Sequence, residues 1–341
     1  MTTVALDGRG AERGAEAIVA GARSAAADGI GVRVFGDPAA LAELEGTDRV
    51  ELVPAPGEIT NSEEPVAAVR SRPDASIVLA ARDVSEGRSS ALASAGPTGA
   101  TMTAALFALR RIRGVRRPAL AVQLPAPGRS GPPCLLLDVG ANTDARAGDL
   151  IQFAYLGAAF SRAVLGVQSP RVALLSVGEE ATKGTASVVE AHARLAGAEG
   201  IEFRGNVEGR DLLGDSVDVV VTDGFTGNVT LKTIEGTAKA VGAAVGAAAR
   251  SNPVAIAGGL LLRPALGGLR SRTDPDSTGG AILLGLREVA VVGHGSSGPE
   301  GIANAVRLAA RAVEERAVER MAELLEVSGA TRAGLRDTSD R

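Results

Sequence analysis

Short apolar runs alternate with Ala-rich segments of helical spacing along most of the chain, the signature of strands exchanging with helices. Val4 to Leu6, VRVFG (32–36) and VELVPAP (50–56) read as strands, the first followed by a Gly-rich turn and an Ala-rich helix. The segment EEPVAAVRSRPDASIVLAARDVSEG predicts two helices broken at Pro73, and TMTAALFALRRI a further one. PALAVQLPAPGRSGPPCLLLD (118–138) predicts two strands around a Pro/Gly turn, an antiparallel arm on the sheet. LIQFAYLGAAFSRAVLG reads as a core helix containing Phe153, Tyr155 and Phe160. Val217 to Val221 is a buried strand that stops at Asp223 and Gly224 and restarts as a long helix from Thr226 to Arg250. GGAILLGL and EVAVVGHG close the sheet, and residues 302–326 form one amphipathic final helix. Strands alternating with helices imply a mainly parallel sheet covered on both faces, a three-layer α/β/α fold.

The apolar runs end in polar, Gly-punctuated loops: SAGPTGA (94–100), DVGAN (138–142), SVGEEATKG (176–184), GNVEGRD (205–211), TDGFTGN (222–228) and GHGSS (293–297). In an open parallel sheet all such ends lie along one edge, where α/β folds place their ligands. Helix starts there present free backbone N–H groups, so the loops are expected to converge on one anion-binding crevice. Asp223, Thr226 and Asn228 stand at the most promising joint, with Lys232 one turn on.

Composition narrows the chemistry. The 341 residues are 45% hydrophobic, enough for one large domain, with aromatics at 2% and no Trp, so base-stacking platforms are missing. A net charge of −4 gives no basic field for a nucleic-acid backbone, and any anionic substrate must be held locally. The single cysteine, Cys134, forbids an internal disulfide, fits a reducing compartment, and reads as a buried mid-strand residue. No charged-then-apolar leader precedes Val4, so a cytoplasmic location is expected. With two His and no Cys cluster, neither a metal site nor a cofactor is predicted. Residues 1–327 are expected to form one domain, 229–272 an apolar helical protrusion from it, and 328–341 a frayed tail.

GEEATKG, NVEGRD, DGFTGNV with the following LKT, DVGAN and HGSS together resemble the PlsX family of bacterial phosphate acyltransferases, and the resemblance runs from Val4 to about Leu325. It implies transfer of a fatty acyl group from acyl carrier protein to inorganic phosphate, giving acyl phosphate for phospholipid synthesis. The implied fold is related to phosphotransacetylases and isopropylmalate dehydrogenases. Lys183 and Asn228 match a Lys and an Asn of the family motifs, and a cation and an amide at facing strand ends suit phosphate and a thioester carbonyl. Glu180, Asp223 and Arg210 would orient them; His294 would exchange a proton or, in the favoured reading, brace its turn. Asp7, Gly96, Thr98, Gly99, Asp138, Asn142, Glu179, Thr226, Ser296 and Ser297 complete the expected substrate-binding set.

The chain departs from the family in places. In the first loop Asp7, Gly10 and Gly14 match the DAMGGDHGP-type turn, whereas the second Gly of the pair, the acid and the His are replaced. Pro97 stands for an Asn and Pro73 for a basic residue. These changes leave open a divergent paralogue using another acyl carrier, or one that binds without turnover. A dehydrogenase of the isopropylmalate type ranks last, since no adenine-pocket signature is visible. Gly236, Gly242 and Gly246 suggest close helix contact, and 253–269 is apolar yet cut by Arg263 and Pro264. A homodimer is therefore expected, projecting Ile256, Leu260, Leu261, Leu262 and Leu266 as a tip for weak peripheral membrane contact, as the resemblance also implies.

Overall fold

In the computed structural model, which describes residues 2–124, 126, 129–262 and 275–335, eleven strands form one sheet. They are β1 (Thr3–Asp7), β2 (Gly31–Gly36), β3 (Val50–Pro54), β4 (Ala91–Ser94), β5 (Ala119–Leu124), β6 (Cys134–Leu137), β7 (Arg171–Leu175), β8 (Glu202–Val207), β9 (Val219–Val221), β10 (Ala281–Leu284) and β11 (Val289–Val292). Their order across the sheet is β3-β2-β1-β4-β11-β10-β5-β6-β9-β7-β8. Central strands read as unbroken apolar runs because both of their faces are covered. Val4 and Leu6 of β1 enter one core while Ala5 enters the other, and Leu135 and Leu136 of β6 divide in the same way.

One face carries α1 (Gly14–Ala27), α5 (Ala147–Ala163), α6 (Ala186–Leu195), α9 (Pro299–Glu314) and α10 (Ala317–Val327). The other carries α2 (Pro65–Ser71), α3 (Ser76–Ser85), α4 (Thr98–Leu109) and the start of α7 (Gly224–Ala248). The three-layer α/β/α expectation holds, as do the helix break around Pro73 and the antiparallel β5–β6 arm. Every residue of α5 except Arg162 is buried, and its Asp149 and Gln152 find partners within the fold, whereas Ser161 Oγ does not. Asp149 accepts from Arg116 Nε at 3.0 Å, and Gln152 Nε2 donates to the carbonyls of Gly114 and Ala330, each at 2.8 Å.

Three sequence expectations are corrected here. The first concerns strand direction. β3, β2, β1, β4 and β11 are mutually parallel, and so are β6, β9, β7 and β8, but the joins β11–β10, β10–β5 and β5–β6 are all antiparallel. Three reversals turn the second group against the first, so the Gly-rich loops do not share an edge. SAGPTGA and GHGSS end strands of the first group; DVGAN, SVGEEATKG, GNVEGRD and TDGFTGN end strands of the second and lie at the opposite edge.

The second correction is that 302–326 is not one helix. Arg316 adopts φ 53°, a left-handed residue that ends α9 and lets α10 pack back on the α5 side of the core. The third concerns the tail, because residues 328–335 are not frayed. Ala330 and Leu335 are buried, and the Arg332 N–H donates to the Gly114 carbonyl at 2.7 Å.

α7 leaves the body after its first turns. Only Gly224 and Gly227 are buried along its 25 residues, with Leu231 and Ile234 packed at the core margin. A further helix, α8 (253–262), folds back so that Gly259 lies against Ala249. Ile256, Leu260, Leu261 and Leu262 of the expected tip are exposed, Leu261 at 84%; Leu266 lies outside the described residues. Among the described residues, no helix is long and apolar enough to cross a membrane.

Candidate active site

The edge formed by the carboxyl ends of β6, β9, β7 and β8 is built on two close backbone approaches. Asp138, fully buried after β6, accepts from the N–H groups of Leu120, Gly140, Ala141 and Asn142 and from Asn142 Nδ2, at 2.7 to 3.2 Å. Burial pushes its carboxyl above the usual carboxylate range, and the donors from Ala141, Asn142 and Leu120 pull against that rise. Asn142 Nδ2 also reaches the Pro118 carbonyl at 2.8 Å. The polar atoms of Asp138 and Asn142 thus fix the 138–142 loop, a scaffold duty and not an open ligand face.

The first turn of α7 sits directly on that loop. The Gly224 N–H donates to the Asn142 carbonyl at 2.6 Å, and a Cβ on Gly224 would stand 2.6 Å from the same oxygen. A Cβ on Gly227 would overlap the Asp138 carbonyl oxygen, so only glycine fits either place. Asp223 is the N-cap, accepting from the Thr226 N–H and the Thr226 hydroxyl, each at 2.8 Å. Asp223 and Thr226 therefore satisfy one another. Asn228, one residue beyond Gly227, is exposed, and its amide makes no hydrogen bond among the described residues.

The neighbouring loop after β7 is closed by its own backbone. Ser176 Oγ donates to the Lys183 carbonyl at 3.0 Å, and Asn206 Nδ2 donates to the carbonyls of Glu180 at 2.9 Å and Lys183 at 3.4 Å. Gly184, at φ +111°, makes the turn, and a Cβ there would meet Ser176 Oγ at 2.8 Å. Lys183 is left exposed, with no ion pair among the described residues. Glu180 is exposed beside it, and Glu179 pairs with Arg210 at 3.3 Å, the arginine also holding Glu208 at 3.0 Å. Because β7 and β9 are adjacent, the exposed Lys183 and Asn228 both stand at this edge, on segments whose backbones are fixed. An anion and a polarised carbonyl are what such a pair can receive.

At the other edge stand Asp7, Gly96, Thr98, Gly99, His294, Ser296 and Ser297. Asp7 is 2% exposed and accepts from Ser76 Oγ at 2.6 Å, Ser94 Oγ at 2.8 Å and the Arg9 N–H at 3.2 Å. Burial raises its carboxyl to about 6 against those bonds. Ser94 Oγ in turn receives the Gly96 N–H at 3.0 Å and Thr101 Oγ1 at 3.1 Å, so Asp7 anchors a buried hydroxyl network. Thr98 and Gly99 begin α4 behind Pro97, with Thr98 exposed. His294 Nδ1 accepts from the Ser296 N–H at 3.2 Å and lies 2.8 Å from Ser296 Oγ; Ser297 is buried and its N–H donates to the His294 carbonyl. The imidazole is thus bonded within its own turn. Grouping His294 with Lys183 and Asn228 is corrected by the strand reversal, and no hydrogen bond or ion pair among the described residues joins the two sets.

The replaced first loop is built into this second edge. Arg9 pairs with Asp37 at 3.3 Å and Glu58 at 3.4 Å, and the Glu12 N–H donates to the Gly295 carbonyl. Cys134 is wholly buried in β6, its thiol pushed up to about 12 by burial, which removes it as a nucleophile. Sequence reading missed Ser76, Ser94, Thr101, Ser176 and Asn206, each of which supports a loop from within. Ser76 and Ser94 lie 69 and 87 residues from Asp7, and Asn206 lies 26 from Glu180, pairings that only the fold makes, whereas Ser176 and Thr101 each bond a group seven residues away. Among the described residues no group of three His, Cys, Asp or Glu is arranged to hold a metal.

Comparison with known proteins agrees with this architecture. The model of a family described as fatty acid synthesis protein matches residues 2–320. A phosphate acyltransferase of Elusimicrobium minutum is 43% identical over 318 residues, covering 91% of this chain and 92% of its own. One from Heliobacterium modesticaldum is 42% identical over 319 residues, covering 92% and 94%. Among solved structures, a phosphotransacetylase from Streptococcus pyogenes superposes with a TM-score of 0.62 at 17% identity, covering 92% of this chain and 94% of its own. A branched-chain phosphotransacylase from Enterococcus faecalis V583 does so at 0.58 and 18%, covering 92% and 99%. At such identities the structural matches speak to the fold alone.

Proposed function

From the premise that the chain belongs to the fatty acid synthesis protein family and its phosphate acyltransferases, we propose that it moves a fatty acyl group from acyl carrier protein to inorganic phosphate. It is an acyltransferase with phosphate as acceptor. The acyl phosphate so made feeds phospholipid synthesis. The observation that carries the site assignment is the pairing, on adjacent strand ends, of an unengaged Lys183 with an unengaged Asn228.

Lys183 holds phosphate at the β7 loop, and the Asn228 amide N–H donates to the thioester oxygen as negative charge develops on it. A phosphate oxygen attacks the carbonyl carbon; the C–S bond breaks as the C–O bond is kept, and the thiolate leaves with the carrier. Direct displacement requires no protein nucleophile and no cofactor, and the buried thiol of Cys134 supports that route. Glu180 and Arg210 orient the Lys183 loop, while Asp223 and Thr226 set the helix turn that carries Asn228.

The working form in this proposal is a cytoplasmic homodimer paired along α7, with the apolar residues at 256–262 touching the membrane surface weakly. Exposure of Val241, Val245, Leu260 and Leu261 on a helical protrusion supports it. The test is turnover: Lys183→Ala and Asn228→Ala each lower acyl phosphate formation by about 100-fold or more with unchanged melting. Near-wild-type turnover in a variant removes that residue from the mechanism.

A further inference from the structure

The chain does not trail away after α10. Gly329, at φ +67°, ends the helix, and residues 330–335 turn on themselves, the Leu335 N–H donating to the Thr331 carbonyl at 2.9 Å. Ala330 and Leu335 are buried against the body. All of this segment lies beyond residue 320, where the matched family model ends.

Its polar contacts fall on one turn of the body. The Arg332 N–H donates to the Gly114 carbonyl at 2.7 Å. The fully buried amide of Gln152 bonds both sides of the junction: Nε2 donates to the carbonyls of Gly114 and Ala330, each at 2.8 Å, and Oε1 accepts from the Arg116 N–H at 2.8 Å. The 114–118 turn is tied to the candidate site at its other end. The Pro118 carbonyl accepts from Asn142 Nδ2 at 2.8 Å, Arg117 Nη1 donates to the Asp144 carbonyl at 2.9 Å, and the Leu120 N–H donates to Asp138 at 3.0 Å. The Asn142 carbonyl holds the Gly224 N–H at 2.6 Å, on the α7 turn that carries Asn228. Lys183 stands apart from this chain of groups, on a 176–184 loop whose bonds run within itself, to β8 and to Arg210.

We propose that residues 328–335 are a positioning strap for catalysis: clamped on Gly114 and Gln152, they fix the 114–118 turn and, through Asn142, the α7 turn that carries Asn228. The inference rests on the site reading above and adds positioning residues from the far end of the chain. The strap touches no reacting atom. Without it one N–H of the Gln152 amide loses its acceptor and the Gly114 carbonyl loses a donor, which releases the turn to shift. The shift reaches the donor to the thioester oxygen and leaves the phosphate-holding lysine in place.

The test is a double-variant cycle on the full chain, assayed well below each melting temperature. Arg332→Pro removes the N–H that reaches Gly114, and Leu335→Asp unseats the buried leucine by a separate route. Each is expected to lower kcat about tenfold with the KM for phosphate unchanged, since a misplacement of about 1 Å costs up to about 100-fold. In an Asn228→Ala background the same substitutions lower kcat by less than about twofold, because the donor that they misplace is already gone. A merely structural role lowers kcat by one factor in both backgrounds. Amide hydrogen exchange is the second readout: the 222–228 segment exchanges about tenfold faster in the strap variants, and 176–184 exchanges as in wild type. With Asn228→Ala impaired as expected, an unchanged kcat in the strap variants, equal losses in both backgrounds, or unchanged exchange at 222–228 overturns the proposal. Should Asn228→Ala alone turn over like wild type, the site reading fails instead, and the strap stands or falls on the exchange at 222–228.

Discussion

Gly224→Ala tests the contact on which the candidate site is built. The new Cβ would stand 2.6 Å from the Asn142 carbonyl oxygen and 2.9 Å from the Asn142 backbone nitrogen and carbonyl carbon. Ordinary carbon–oxygen contact lies about 0.8 Å further out, so either α7 or the 138–142 loop must withdraw by that much. The loop is pinned by five hydrogen bonds to Asp138, and α7 is the element that yields. Withdrawal stretches the Gly224 N–H bond to Asn142 beyond useful length, since it begins at 2.6 Å. Overpacking of about 1–3 kcal/mol plus one lost buried hydrogen bond of about 1 kcal/mol gives a destabilisation of about 2–4 kcal/mol.

With an unfolding entropy of about 2 cal/mol/K per residue, that lowers the melting temperature by roughly 3–6 °C. Turnover falls as well, because Asn228 rides on the displaced turn. Gly227→Ala, whose Cβ overlaps the Asp138 carbonyl, is expected to be worse. Gly236→Ala, further along α7 with nothing within 4 Å, is the control and gains up to about 1 kcal/mol in helix propensity. The readouts are scanning calorimetry and acyl phosphate trapped as hydroxamate. A Gly224→Ala protein that melts within 1 °C of wild type at full turnover would refute the close-approach argument. A loss in Gly236→Ala would instead report a second chain against α7.

Cys134→Ala keeps its activity at a cost of about 1 kcal/mol, and mass spectrometry after turnover finds no acyl adduct on wild-type Cys134; an adduct there ends the direct-displacement mechanism. The carboxyl of Asp7, raised from 3.8 to about 6 by burial, favours the folded state fully below pH 3.8 and loses that contribution as pH rises through 6, an effect of about 3 kcal/mol. Asp7→Asn is therefore expected to narrow the stability difference between pH 4 and pH 8, and an unchanged difference in chemical denaturation contradicts it. Leu260→Glu with Leu262→Glu abolishes flotation with anionic vesicles while leaving sedimentation as a dimer; a monomeric wild type or equal flotation counts against the α7 proposal.

Local features were legible in the sequence because local chemistry decides them. The helix break near Pro73, the β5–β6 arm and the burial of Cys134 all follow from residue type and spacing. Strand direction was not legible, since an apolar run looks the same pointing either way. It depends on β10 and β11 inserting between β4 and β5, a pairing between residues more than 150 apart. Asp138 and Asn142 looked like ligand groups because polar residues at strand ends usually are exposed; here the loop folds inward and uses them itself. Asn206 lay inside a motif whose Arg210 drew attention by charge, while its buried, half-satisfied amide is visible only with its neighbours in place.

The insertion of the last two strands also bears on how the protein is made. β11 covers the outer edge of β4, and α9 packs against α1, β1 and β4, yet both come from beyond residue 288. A nascent chain that has already emitted β1 to β9 still has the hydrogen-bonding edges of β4 and β5 open and the inner side of α1 bare. The sheet edges of β4 and β5 close only once β10, β11 and α9 have been made. Open β-edges held for that interval offer unpaired backbone groups to other chains, so truncations before residue 289 should aggregate rather than yield a smaller folded protein.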